Sequence, residues 1–427
     1  MPEGSDFPLL NLPYGIFIDP AGKPRAGTRI GDTVIDLFAL ANAGLLDGSG
    51  IPAKEFGQPT LNNMIAYGKS SWHMLRNTLT DIFEEGNSIL RNNRELRKLS
   101  LWPVSEISML MPLSIGDYTD FYSSLEHATN LGKLFRDPAN ALLPNWRHLP
   151  VGYHGRSSSI VISGTPVHRP SGQTRPDDTA PPVFGPTRQL DFELEMAFVT
   201  GKKTELGDSV PAGEAEDAIF GFVLFNDLSA RDIQKWEYVP LGPFAGKNFG
   251  SIISPWIVTL EALEPFRVAG PVQEPEVLPY LRTKNRHNFD IELEVFIQPE
   301  NGKETRVSRT NYRYMYWNIA QQLAHQTANG CNINVGDLYA SGTISGPDEG
   351  SFGSMIELTH GGKRPLKLDD LSERTFLNDN DRVIIRGYAQ KGDLRIGFGE
   401  ASVKLLPARE HISSSLKQET QHVVHAD

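Results

Sequence analysis

Only one of the 427 residues is a cysteine, Cys331, so no intrachain disulfide can form. That fits a reducing compartment. Cys331 follows an expected helix end and is read as a small buried thiol in preference to a nucleophile. No run approaches 18 consecutive apolar residues, so no membrane-spanning helix is expected. The N-terminal MPEGSDFPLL lacks a basic stretch followed by an apolar core, so no signal peptide is expected and the expected location is cytoplasmic. Positive charge is also scarce. Lys and Arg number 41 against 52 Asp and Glu, a formal net charge of -11, and no basic cluster is interleaved with aromatics. Nucleic acid is therefore not an expected partner.

Common catalytic signatures are missing as well. The stretch 242–248, GPFAGKN, is one residue short of a phosphate-binding loop and lacks the hydroxyl residue after Lys247. Gly397-Phe398-Gly399 lacks the third glycine of a dinucleotide fingerprint. There is no G-x-S-x-G elbow and no zinc-type His or Cys pairing. A nucleotide enzyme, a serine hydrolase and a zinc enzyme are thereby disfavoured.

What is present is an ordinary globular composition, 39% hydrophobic and 22% charged. A length of 427 residues suggests two or three domains. Residues 1–114 read as a small domain with strands over 14–18 and 28–37, the latter turning at Gly31-Asp32, and one long helix over 72–99. Residues 115–409 read as a larger strand-rich catalytic domain. Its strands are expected over 219–225, 289–297, 381–388 and 394–406. Residues 164–186 read as a long surface loop, and 312–327 as a helix stopped at Asn329-Gly330. Residues 410–427 read as a polar tail. The expected class is mainly β, of the α+β type.

Three segments carry chemistry. In Asp191-Phe192-Glu193-Leu194-Glu195-Met196, strand alternation places three carboxylates on one face. Such a row is either solvated or neutralised by a hard cation such as Mg²⁺ or Ca²⁺. Asp290-Ile291-Glu292-Leu293-Glu294 has the same pattern and runs towards a hairpin turn at Asn301-Gly302, so periodicity cannot choose between the two faces. In the segment 116–127, Ser123 and Glu126 have capping-box spacing, which places Asp120 and Tyr122 before a helix and His127 in its first turn. In the segment 226–238, an apolar strand ends at Asp227, and Arg231, Gln234 and Tyr238 would share one face of a following helix.

Together these stretches resemble the fumarylacetoacetate hydrolase family. The similarity runs through GDYTDFYSSLEHATN, FRDPANALLPNWRHLPVGYHGR, LDFELEMAF, NDLSARDIQKWEYVPLGPFAGKNFG and ASGTISGP, and so covers almost the whole chain. The resemblance implies a small SH3-like barrel followed by a larger β-roll domain, paired into a homodimer. It implies hydrolysis of 4-fumarylacetoacetate, a dicarboxylate diketone, to fumarate and acetoacetate, the last step of tyrosine and phenylalanine catabolism. It assigns Asp120, Glu193, Glu195 and Asp227 to a Mg²⁺ or Ca²⁺ ion, with Lys247 and Ser251 lining that site. Ser251 stands where the family has threonine but keeps the hydroxyl. His127 corresponds to the general base and Glu357 to the residue orienting it. Arg231, Gln234 and Lys247 correspond to the groups stabilising the oxyanion and the departing carbanion. Tyr122, Arg136, Tyr153, Gln234, Tyr238 and Thr343 correspond to substrate contacts.

Two rival readings remain. Acylpyruvate hydrolases, oxaloacetate decarboxylases and dienedioate isomerases of the same superfamily share the acidic triad, but the N-terminal domain and the DFYSS…HATN segment favour the fumarylacetoacetate-cleaving branch. An inert cation-binding β module would not need His127, Glu357, Arg231 and Lys247.

Overall fold

The computed structural model describes residues 5–135, 137–177, 179–284 and 286–410. The expectations for Arg136 and for the tail from residue 411 onward lie outside the described residues. The architecture is mainly β, with a smaller N-terminal part and a larger part that carries the acidic segments. In the N-terminal part, Leu101–Pro103, Thr33–Asp36, Pro24–Ile30, Tyr14–Ile18 and Ser108–Leu110 form, in that order, an antiparallel five-stranded sheet.

Two expected elements in this chain divide. The helix expected over 72–99 is two helices, Lys69–Phe83 and Arg94–Ser100. The intervening Gly86, Asn87 and Ser88 favour turns, and the side chain of Asn93 caps the second helix by accepting from the Leu96 N–H at 3.0 Å. Likewise 312–327 divides into a 3₁₀ turn, Tyr312–Tyr314, and a helix, Ile319–Thr327, begun by an Asn318/Gln321 capping box. Gly330, with φ at 87°, follows its end as its position predicts. The loop expected over 164–186 contains a hairpin, Ser171–Thr174 with Val183–Pro186, and the strand Val167–His168. Cys331 is half-buried, not enclosed.

The larger part contains two main sheets. One runs Gly152–His154, Tyr118–Phe121, Leu338–Ala340, Leu194–Thr200, Ile219–Asp227, Ser251–Ile253, Ile160–Ile162, with Val258–Thr259 also paired to Ile219–Asp227. The other runs Thr305–Asn311, Glu292–Gln298, Arg382–Lys391, Leu394–Leu406, Val167–His168. Apolar residues facing one way from the central strands (Leu194, Met196, Phe198, Phe222, Leu224) pack with Leu293, Val295, Ile385 and Phe398 of the second sheet. Ala197, Val199, Val223, Phe225 and Ile253 face the other way and share a core with Leu12, Ile16, Ile35, Leu75 and Leu79. The N-terminal part thus covers one face of the large sheet, and a smaller cluster of its own, Phe7, Phe17 and Val34, packs around Trp256.

Candidate active site

The face covered by the N-terminal part becomes acidic at its end. Alternation puts Asp120 on the side of Tyr118, Glu195 with Ala197 and Val199, Asp227 with Val223 and Phe225, and Ser251 with Ile253. Pairing then aligns them: Asp120 lies opposite Ala340, Ala340 opposite Ala197, and Asp227 opposite Ser251. Glu193 joins from the irregular link before Leu194–Thr200. Oxygens of Asp120, Glu193, Glu195 and Asp227 all lie within 4.8 Å of one another, and all four residues are buried.

Two unit negative charges 4.8 Å apart repel by about 3–4 kcal/mol at an effective dielectric of about 20. Cations of the protein answer only part of this. The Lys247 ammonium bonds to Glu193 and, at 2.8 Å, to Asp227 Oδ2. Arg231 Nη1 lies 2.8 Å from Glu193 Oε1. Burial alone would raise Glu193, but Lys247 and Arg231 hold it well below the usual carboxylate range. Asp120 and Glu195 fare differently: burial first, and neighbouring carboxylates second, push both well above it. Asp120 Oδ1 and Glu195 Oε1 are buried without a hydrogen-bond partner. Orphaned oxygens in an all-oxygen donor set fit a hard divalent cation. Lys247 lines this cluster as a charge partner. Burial opposes its charge, Asp227 and Glu193 outweigh that and hold it protonated, and an ammonium has no lone pair to give a metal. Ser251 Oγ donates to Asp227 Oδ1 at 2.7 Å.

One glycine is needed here. The N–H of Gly342 donates to Glu195 Oε2 at 3.0 Å, its φ is 76°, and a Cβ would stand 2.2 Å from the Phe121 carbonyl oxygen.

Beside the acids lies an oriented imidazole. His127 Nδ1 is 2.7 Å from Glu357 Oε2, and both side chains are buried. Three further groups donate to Glu357: Asn130 Nδ2 at 2.9 Å, Ser345 Oγ at 2.9 Å and Ser354 Oγ at 2.7 Å. Burial works to raise Glu357, but His127 and these donors outweigh it and the group lies below its ordinary value. His127 also acts electrostatically on Glu193, which links the imidazole to the acidic cluster. The expected cap is displaced by one residue: the N–H of His127 donates to Ser124 Oγ at 3.2 Å, while Ser123 Oγ accepts from Gln322.

Most of the other expected residues converge. Arg231 starts the helix Arg231–Glu237, and its Nη1 donates to Gln234 Oε1 at 3.2 Å. Tyr153 donates to Asp227 Oδ2 at 3.3 Å. The Tyr122 ring stands edge-on to His127 with centroids 5.3 Å apart. Thr343 is buried with an unpartnered hydroxyl. Tyr238 is 48% exposed at the helix end.

The second acidic face is a different environment. Asp290 pairs with Arg313, Glu292 with Arg309 and Glu294 with Arg306, so that face is neutralised in pairs by arginines of the strand Thr305–Asn311 and of the turn that follows it. Asp191 also leaves the expected row. The strand is irregular after Asp191, and its carboxylate turns to Arg231 and to the backbone at Met355 and Ile356. Neither that role nor those of Asn130, Ser345 and Ser354 left a periodic signal in the sequence.

A buried oxygen cluster that could hold a cation thus lies beside a carboxylate-held imidazole and two cationic side chains. Residues 10–112 match the family described as Fumarylacetoacetase N-terminal, and residues 117–402 match Fumarylacetoacetate (FAA) hydrolase C-terminal. Among its relatives, fumarylacetoacetase of Homo sapiens is 50% identical over 412 residues, 95% of this chain and 97% of that protein. The Dictyostelium discoideum fumarylacetoacetase is 51% identical over 412 residues, 95% of this chain and 96% of that protein. A solved fumarylacetoacetate hydrolase from Exiguobacterium antarcticum covers 93% of this chain and 100% of its own at a TM-score of 0.52 and 17% identity, a likeness of fold. The chain belongs to the fumarylacetoacetate hydrolase family.

Proposed function

We propose that the chain hydrolyses 4-fumarylacetoacetate to fumarate and acetoacetate, the last step of tyrosine and phenylalanine catabolism. The observation that carries this reading is one buried centre in which Glu193 bonds both Lys247 and Arg231 beside the His127–Glu357 pair, within a chain about half identical to fumarylacetoacetases over nearly its whole length.

The proposed roles are those of the family correspondence, and the geometry supports them. Nδ1 of His127 is taken by Glu357, which leaves Nε2 to accept a proton from water as it attacks a diketone carbonyl. Asp120, Glu193, Glu195 and Asp227 would hold a Mg²⁺ or Ca²⁺ ion, which when bound polarises the diketone oxygens. Arg231, Gln234 and Lys247 offer donors to the oxyanion and then to the acetoacetate carbanion as the carbon–carbon bond breaks, and the proton held on His127 Nε2 passes to that carbon to complete acetoacetate. Arg231 Nη2 is buried and unpartnered, as a donor kept for substrate should be. Tyr122, Tyr153, Tyr238 and Thr343 are the proposed substrate contacts, with Arg136 from the family correspondence alone. The protein is further proposed to work as a cytoplasmic homodimer.

The test is turnover of fumarylacetoacetate, followed by loss of its ultraviolet absorbance with and without a chelator. Cleavage that stops on metal removal is expected. No turnover, or turnover indifferent to complete metal removal, would overturn the reading.

A further inference from the structure

Asp191 is fully buried, touches none of the four clustered carboxylates by hydrogen bond, and joins two parts of the site that are far apart in sequence. Its Oδ2 accepts from Arg231 Nε at 2.8 Å and from the Ile356 N–H at 3.1 Å, and its Oδ1 accepts from the Met355 N–H at 2.7 Å. Met355 and Ile356 open the short helix Met355–Leu358, which carries Glu357. The helix's first N–H groups have no intrahelical acceptors, and Ser354 makes no side-chain cap. Asp191 fills that role from another segment.

We propose that Asp191 is a positioning residue that sets the oxyanion-side guanidinium of Arg231 and the base-orienting Glu357 in one fixed relation. By taking Nε, Asp191 fixes the plane of the guanidinium. Nη1 is then taken by Glu193 and Gln234, and Nη2 is left facing no protein partner. By holding the Met355 and Ile356 N–H groups, it fixes the turn from which Glu357 reaches His127. A misplacement well below 1 Å at either end loosens groups that must act on the same carbonyl. This proposal rests on the hydrolytic reading above.

The test compares wild type with Asp191→Asn on fumarylacetoacetate at saturating cation. The carboxamide has one acceptor oxygen, which can face either the Met355 N–H or the Arg231 Nε and Ile356 N–H together, and in both orientations the charge opposite the guanidinium is gone, so the arm to Arg231 is weakened or lost. The expected result is kcat lower by about 10–100-fold, with KM and the cation concentration for half-activation changed by less than about threefold. In a double variant with Arg231→Lys, the two losses should overlap, the pair costing about as much as Arg231→Lys alone. As a control, Asp381→Asn removes a buried carboxylate that pairs with Arg374 through 2.8 and 2.9 Å contacts and bonds no site residue, so it should lower the melting temperature and leave kcat intact. A kcat for Asp191→Asn within twofold of wild type, or losses that multiply with Arg231→Lys, would overturn the proposal. If Asp191→Asn does not fold, Asp191→Glu carries the test: it keeps the charge but displaces the oxygens by a methylene. Reduced kcat there supports positioning, and full kcat overturns it. Absence of turnover by the wild type would count against the hydrolytic reading itself, separately from either variant.

Discussion

The imidazole of His127 and the carboxylate of Glu357, 230 residues apart in sequence, meet at 2.7 Å in the interior, and three more donors hold the carboxylate in place. A carboxylate so held fixes the imidazole's orientation and tautomer. Replacing His127 by Ala should therefore lower kcat by about 10²–10⁴-fold, the usual worth of a positioned base. Near-normal steady-state turnover would reduce His127 to a structural role.

Glu195→Gln and Glu294→Gln test the two acidic faces against each other. Glu195 Oε1 is buried and unpartnered, whereas Glu294 pairs with the half-exposed Arg306. The first change should abolish cation-dependent activity. The second removes an exposed pair worth about 0–1 kcal/mol and should leave turnover unaltered. The reverse pattern in a cation titration would place the cation on the second face.

Cation binding should also be visible without any assay of activity. Four buried carboxylates repel one another, and an ion that binds only the folded chain stabilises it by mass action, about 2.7 kcal/mol at a hundred times its dissociation constant. Thermal unfolding in chelator and then in excess Mg²⁺ or Ca²⁺ should show a higher midpoint with the ion. An unchanged midpoint with both ions would argue against a site.

Asp36 offers a prediction about pH. It caps the helix Leu37–Asn42 through the Ala39 N–H at 2.9 Å, and burial raises its pKa from 3.8 to about 6 despite that bond. The folded chain thus holds this proton more tightly than the unfolded chain. The contribution to stability is present in full below about pH 4 and is lost as pH rises through about 6. Asp36→Asn keeps the cap and removes the charge. It should gain on the order of 1–3 kcal/mol relative to wild type between pH 4 and pH 7. Denaturant midpoints at both values check this, and a difference between the two proteins that does not vary with pH would contradict it.

Much of the fold was legible because burial patterns are local. The strands at 14–18 and 394–406 and the stop at Gly330 follow from apolar alternation and from turn chemistry next to them. The failures were local competitions as well. Gly86 to Ser88 cut a helix whose flanks both favour helix, and a hairpin formed inside a stretch rich in Pro, Ser, Thr and Gly. Capping chemistry chose Ser124 over Ser123, because Ser123 is engaged by Gln322 from a distant helix.

The sequence by itself determined which residue types were available: acids at alternate positions, a histidine in a first helical turn, a guanidinium and an amide three residues apart. It also determined, by extended resemblance, the family. Pattern alone did not distinguish Glu193 and Glu195 from Glu292 and Glu294, since both runs alternate identically. Only the tertiary structure decided that. Strand pairing buries Glu195 beside Asp120 and Asp227, where carboxylate oxygens lack partners, and sets Glu292 and Glu294 against arginines on an adjacent strand. The physical difference is whether the countercharge comes from a neighbouring side chain or must come from elsewhere. Asp191 shows the same dependence, because its partners at 231, 355 and 356 are brought to it only by the fold.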